Sequence, residues 1–157
     1  MHAKIAARDL QTWAVYLIDY SLGGVSPEDV VMLKGEPITW PLLTILQDRV
    51  FAAGAVADLC LVPPDNDRGK VWGASIARHG TTEQIARVPD WQRDRYESMT
   101  KYVEVLGAER PELFAGLPEE TAQAVVRADE PIKSIRLLKP WVITLYPTAA
   151  FAAMEGM

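Results

Sequence analysis

The chain has 157 residues, 49% hydrophobic and 24% charged, the composition of a globular domain rather than a disordered or low-complexity segment. Its net charge is −5, and neither half is basic, which argues against a broad nucleic-acid-binding face. A single cysteine, Cys60, excludes intramolecular disulfides and cysteine-rich zinc sites; between Leu59 and Leu61 it reads as a small core hydrophobe.

Ile5 to Leu22 carries an apolar stripe at helical spacing (Ile5, Leu10, Trp13, Leu17, Ile18), stopped by Gly23 and Gly24. Ser26, Pro27, Glu28 and Asp29 then form a helix start: an oxygen side chain at the N-cap, proline at the first helical position and two acids against the positive end of the dipole. This predicts a short helix ending at Gly35. Thr39 and Pro41 open a longer one through Leu42, Ile45, Leu46, Val50, Ala53 and Val56, with Gly54 leaving its end open, since the β-branched run from Val56 to Val62 is compatible with extended chain. A turn cluster follows (Pro63, Pro64, Asp65, Asn66, Asp67, Arg68, Gly69), and Val71 to Ala77 beyond it predicts the second strand of a hairpin.

Thr81 with Gln84 has the spacing of a capping box, and Asp90 to Leu106 reads as one amphipathic helix with Tyr96, Met99, Val103 and Leu106 on one face. Further on, Pro111 to Ala115 predicts a single turn, Pro118 to Ala128 and Pro131 to Lys139 two helices, and Trp141 to Tyr146 an edge strand held between Pro140 and Pro147. Thr148 to Met157 adds at most another helical turn. The expected architecture is one mainly helical α+β domain spanning 1–157, with a winged-helix-like lobe over 1–80, including the hairpin, and a helical lobe over 81–157.

The order helix, short helix, turn, helix, hairpin, long helix resembles the winged-helix regulators of the MarR type over about half of the chain. The best local match is the hairpin tip, where Asp65, Asp67, Arg68 and Gly69 stand in the place of that family's acidic and arginine-bearing wing. The resemblance implies a dimeric DNA-binding transcription regulator in which Arg68 and Lys70, with Arg49, contact phosphate. The would-be recognition helix departs from that pattern. Its outward face offers Trp40, Leu43, Thr44, Gln47, Asp48 and Phe51, and an acid with two aromatics suits a protein surface better than a major groove.

Catalytic chemistry has little to work with. His2 and His79 are the only histidines; His79, beside Gly80, Thr81 and Thr82, could serve a small-ligand or enzyme site, though the stretch is also an ordinary helix cap. No metal-ligand spacing or phosphate-binding loop is present, so neither metal nor cofactor is expected. The paired acids Glu28/Asp29, Glu119/Glu120 and Asp129/Glu130 read as helix-start acids. The five tryptophans either converge on one aromatic core or line a ligand cavity. With no signal peptide and no uncharged run of about 20 residues, the expectation is a cytoplasmic protein without membrane association. The leading functional expectation is a non-catalytic regulatory protein that contacts a protein partner, or a second copy of itself, through the aromatic helix face. DNA binding is the alternative, and a ligand or enzyme site around His79 the third.

Overall fold

A computed structural model describes residues 5–64, 74–107, 109, 117–154 and 156 of the chain. Its frame is a four-stranded, all-parallel sheet with strand order β2-β1-β3-β4, formed by β1 (Val30–Gly35), β2 (Val56–Leu61), β3 (Lys101–Leu106) and β4 (Trp141–Leu145). The fold is therefore α/β, which overturns the expected α+β winged helix. β2 pairs in parallel with β1; of the expected second hairpin strand, 74–77 is helical, while 71–73 and the wing tip at 65–70 lie outside the described residues. The single sheet takes two strands from each of the two supposed lobes.

Two segments carry the error. Val30, Val31, Met32 and Leu33 form a continuous apolar run, the pattern of a parallel strand covered on both faces, and from Val31 to Gly35 every residue is buried. The residues before it close a turn, with the Asp29 N–H donating to the Ser26 carbonyl at 2.9 Å and proline in the second turn position. Similarly, the expected helix over 90–106 stops at Ser98. Met99 is extended and buried, and Tyr102, Val103, Glu104 and Val105 form the fully buried centre of β3. A helix needs the apolar side chains on one stripe, whereas these four consecutive residues are divided between two faces of a sheet.

The helices assemble on both sides. On one face lie α1 (Ala7–Val15), the π-helical turn that continues it (Tyr16–Ser21) and α2 (Trp40–Ala52), packed on Val31, Leu33, Val103 and Val105. On the other lie α5 (Asp90–Ser98) and α6 (Glu119–Leu137), over Met32, Cys60 and Tyr102, with α3 (Ala74–His79) and α4 (Thr82–Ala86) leading into them. α4 opens with the expected Thr81–Gln84 capping box, and β4 is the expected edge strand. The two helices expected around Pro131 are one, α6, with Pro131 inside it. α7 (Ala149–Met154) follows β4. No helix among the described residues is long and apolar enough to cross a membrane.

Asp29, expected to serve a helix dipole, instead ties the entry of β1 to the entry of β3. It accepts from the Ser26 N–H at 2.8 Å and the Thr100 hydroxyl at 2.7 Å, and pairs with Lys101 at 3.2 Å. Burial acts to raise its pKa, but these partners together outweigh burial and hold it at about 2. A carboxyl with a depressed folded pKa stabilises the fold above its unfolded value of about 3.9, and the contribution is lost as pH falls toward the folded value. Asp29→Asn is therefore expected to cost about 2 kcal/mol at pH 7 and almost nothing near pH 2, measured by urea unfolding across that range. An equal loss at both pH values would show that the charge is not what matters.

Candidate functional site

In an open parallel sheet, ligands bind beyond the carboxyl ends of the strands, where two neighbouring strands send their connections to opposite faces. Here that point lies between β1, which leads into α2 on one face, and β3, which leads into α6 on the other. The backbone is tightly drawn together at this point. Glu36, fully buried, accepts from the Gly107 N–H at 2.6 Å and so joins the end of β1 to the end of β3. A Cβ on Gly35 would stand 2.4 Å from the Thr39 hydroxyl oxygen and 2.9 Å from the Val105 carbonyl, and one on Gly107 would stand 2.5 Å from the Thr39 methyl. Both positions are restricted to glycine by close approach.

One residue inward, the paired positions Lys34 and Glu104 project from the face covered by α5 and α6. Lys34 Nζ lies 3.1 Å from Glu104 Oε1; Glu104 Oε2 accepts from the Tyr102 hydroxyl at 2.8 Å and lies 3.7 Å from an Arg136 guanidinium nitrogen. The Arg136 guanidinium is also stacked over the rings of Tyr102 and Trp141, at 5.3 and 5.7 Å from their centroids. The Lys34 and Glu104 side chains are buried, and Arg136 is half-buried, its side chain 15% exposed. Burial alone would lower the Lys34 pKa, but the adjacent carboxylate outweighs it and holds it above the usual lysine value, so the ammonium stays charged. Burial and the Glu104 charge push the Tyr102 hydroxyl well up, which keeps it a donor. Burial likewise raises the Cys60 thiol on the same face, in keeping with its reading as a core hydrophobe.

Lys34 forms part of the wall of a cavity of about 260 Å³ between the sheet and helices α4, α5 and α6. Its remaining polar lining is Gln84, Arg87, Gln92 and Asp129, and its apolar lining includes Ile85, Val88, Trp91, Tyr96 and Ile132. Asp129, expected at a helix start, sits within α6 and turns to this cavity. The wall is held in place by two polar clasps. Arg95 forks onto Asp58 at 2.7 and 2.8 Å and reaches the Leu59 carbonyl at 2.9 Å, which fixes α5 to β2. Lys139 donates to the carbonyls of Tyr96, Glu97 and Met99 and so caps the end of α5.

The residues singled out from sequence fall elsewhere. On α2, Trp40 (44% exposed) and Phe51 (55% exposed) face outward with Asp48, and Thr44 and Gln47 are half-buried beside them. Leu43, assigned to the same outward face, has no exposed surface: with Leu46 and Val50 it forms an i, i+3, i+7 set against the sheet. Arg49, offered as a phosphate contact, is paired with Asp19. Arg68 and Lys70 lie outside the described residues. His79 is exposed at the end of α3 and is not part of the cavity wall. The tryptophans do not converge: Trp13 stacks on Tyr146 at 6.0 Å in the other core, Trp91 lines the cavity, Trp141 carries Arg136, and Trp72 lies outside the described residues. Sequence reasoning missed Lys34 and Glu104 because each lay in a segment read as helix. A charged residue inside a run of buried-strand residues was the available signal. Among the described residues, no three His, Cys, Asp or Glu side chains gather in a metal-binding arrangement.

No family model and no curated protein matches the sequence. Among solved structures, wild-type AmpT from Thermus thermophilus is similar in fold, with a TM-score of 0.66 and 16% sequence identity over 90% of this chain and 36% of that one. The chain thus spans about a third of that structure's length, and at this identity the likeness is one of fold, in agreement with the α/β architecture.

Proposed function

We propose that this chain is a small-molecule-binding α/β module whose ligand occupies the cavity beside Lys34. The observation that supports this reading is a juxtaposition: the cavity has a buried ammonium in its wall, and Lys34, which supplies it, is the penultimate residue of β1, next to the strand end at which open parallel sheets hold ligands. Its volume of about 260 Å³ lies just below the usual range for ligand pockets, which suits a small ligand, and a mainly apolar wall with a few charged and amide groups has the usual chemistry of such sites. The lining pairs no nucleophile with a base among the described residues, so the reading is of binding rather than catalysis.

A thermal-shift screen of fragments against the full chain tests this. Wild type is expected to rise by a few degrees at saturation, as any ligand that binds only the folded state requires. Ala128→Trp, which fills the cavity from α6, is expected to abolish the shift while its own Tm stays close to that of wild type. Val125→Trp obstructs the same space independently. Shifts that survive in both variants would move the ligand elsewhere, and the absence of any shift in wild type would remove the proposal.

A second reading is supported by the outward stripe of α2, where exposed Trp40 and Phe51 flank Thr44, Gln47 and Asp48. Such aromatics favour contact with a protein partner or a second copy of the chain. The DNA-binding reading drew its geometry from the winged helix, whose place the parallel sheet takes.

A further inference from the structure

We propose that the ligand is a small organic carboxylate, a monoanionic head on an apolar or aromatic body, with the carboxylate held between Lys34 and Arg87. This rests on the ligand-binding reading above and adds the chemical class. The charge balance of the buried cluster motivates it. Glu104 is one carboxylate shared by two cations, Lys34 at 3.1 Å and Arg136 at 3.7 Å, so these three side chains carry one net positive charge, with Lys34 as their member in the cavity wall. Tyr102 adds a neutral donor to the same carboxylate, and the aromatic rings flanking Arg136 stabilise its charge without neutralising it.

Lys34 has donors to spare. An ammonium carries three N–H bonds, and Glu104 Oε1 at 3.1 Å takes at most one of them. Arg87, exposed at the cavity wall, has no ion-pair partner among the described residues and brings a second cation. Asp129, the carboxylate of the lining, already has a partner of its own and so opposes an anion less than a bare carboxylate would. One excess buried charge matches a monoanion, and the walls formed by Ile85, Val88, Trp91 and Ile132 ask for an apolar body rather than a bare inorganic ion. At protein-like packing density the cavity takes on the order of a dozen non-hydrogen atoms.

Isothermal titration of the full chain tests the class with matched probes: phenylacetate and indole-3-acetate, their neutral amides, phenyl phosphate and inorganic phosphate. The carboxylates are expected to bind at least about tenfold tighter than the amides, as for a charge-assisted hydrogen bond gained or lost. Arg87→Gln, at an exposed position, is expected to weaken the carboxylates by about tenfold and leave the amides unchanged. Lys34→Gln is expected to weaken them further; should it fail to fold, Arg87→Gln and the acid–amide comparison decide the matter alone. Amides that bind as tightly as the acids, with binding lost in Ala128→Trp, would overturn the carboxylate assignment and leave the ligand-binding reading in place. Tighter binding of either phosphate overturns it in favour of a phosphoryl ligand. If none of the probes binds while fragments still shift wild type but not Ala128→Trp, the class is wrong and the cavity reading survives; with no fragment shift either, both fail.

Discussion

Replacing Glu104 by leucine is expected to cost about 3–5 kcal/mol of folding stability, because it strands the buried Lys34 ammonium, and the half-buried Arg136 guanidinium beside it, without a counter-charge. Lys34 and Glu104 are withdrawn from water and Arg136 largely so, and Tyr102 loses its acceptor in the same step. The ammonium and the guanidinium cannot both be neutralised at an accessible pH. The chain would have to open a path for water into the space beneath α5 and α6. Urea unfolding at pH 7 measures the loss. The double variant Lys34→Met/Glu104→Leu removes one cation together with the carboxylate, and is expected to recover part of it, because an apolar replacement of a buried ion pair is often close to neutral. A single-variant loss below about 1 kcal/mol, the usual size for an exposed pair, would mean that the cluster is solvated and that no excess charge faces the cavity.

Leu43→Ala and the pair Trp40→Ala/Phe51→Ala are expected to behave in opposite ways although all three residues lie on α2. Leu43 has no exposed surface and contributes to the cluster of Leu33, Leu42, Leu46 and Val50. Its truncation is expected to cost about 3–4 kcal/mol through lost transfer energy and an unfilled cavity. Trp40 and Phe51 keep about half of their surface in water, and each alanine change is expected to cost about 1 kcal/mol or less. Circular-dichroism melts of both variants provide the comparison. A double variant that stays folded then isolates the contact role of the stripe: a loss of self-association or of partner capture would support the second reading, and unchanged association would remove it. If Leu43→Ala melted with wild type, the packing of α2 on the sheet would itself be in doubt.

Leu43 shows why part of this protein was legible in its sequence and part was not. The existence and start of α2 follow from Pro41 and the spacing of Leu42, Ile45, Leu46 and Val50, and the structure has that helix, ending at Ala52. Which side is buried depends on what it packs against. A winged-helix packing places Leu43 outward; the sheet, which covers a wider arc, takes Leu42, Leu43, Leu46 and Val50 together. The same holds for the acids. Asp29 and Asp129 were read as partners of helix dipoles because both sit near prolines, but one closes a turn at a strand entry and the other lies within a helix, at a cavity.

By itself, the sequence determined the elements whose signals are local: the helix stripe that begins before Leu10, α2, the capping box of Thr81 and Gln84, the extended run at Val56 and the proline-bounded edge strand at Trp141. Capping, proline geometry and helical periodicity act within a few residues, so a single chain displays them. Only the tertiary structure decided that Val30–Gly35 and Lys101–Leu106 are central strands, and hence that Lys34 meets Glu104. A strand buried on both faces shows no alternation, and a short apolar run is equally compatible with a buried helix. The pairing that settles it joins residues about seventy apart, through hydrogen bonds that neither segment can make alone.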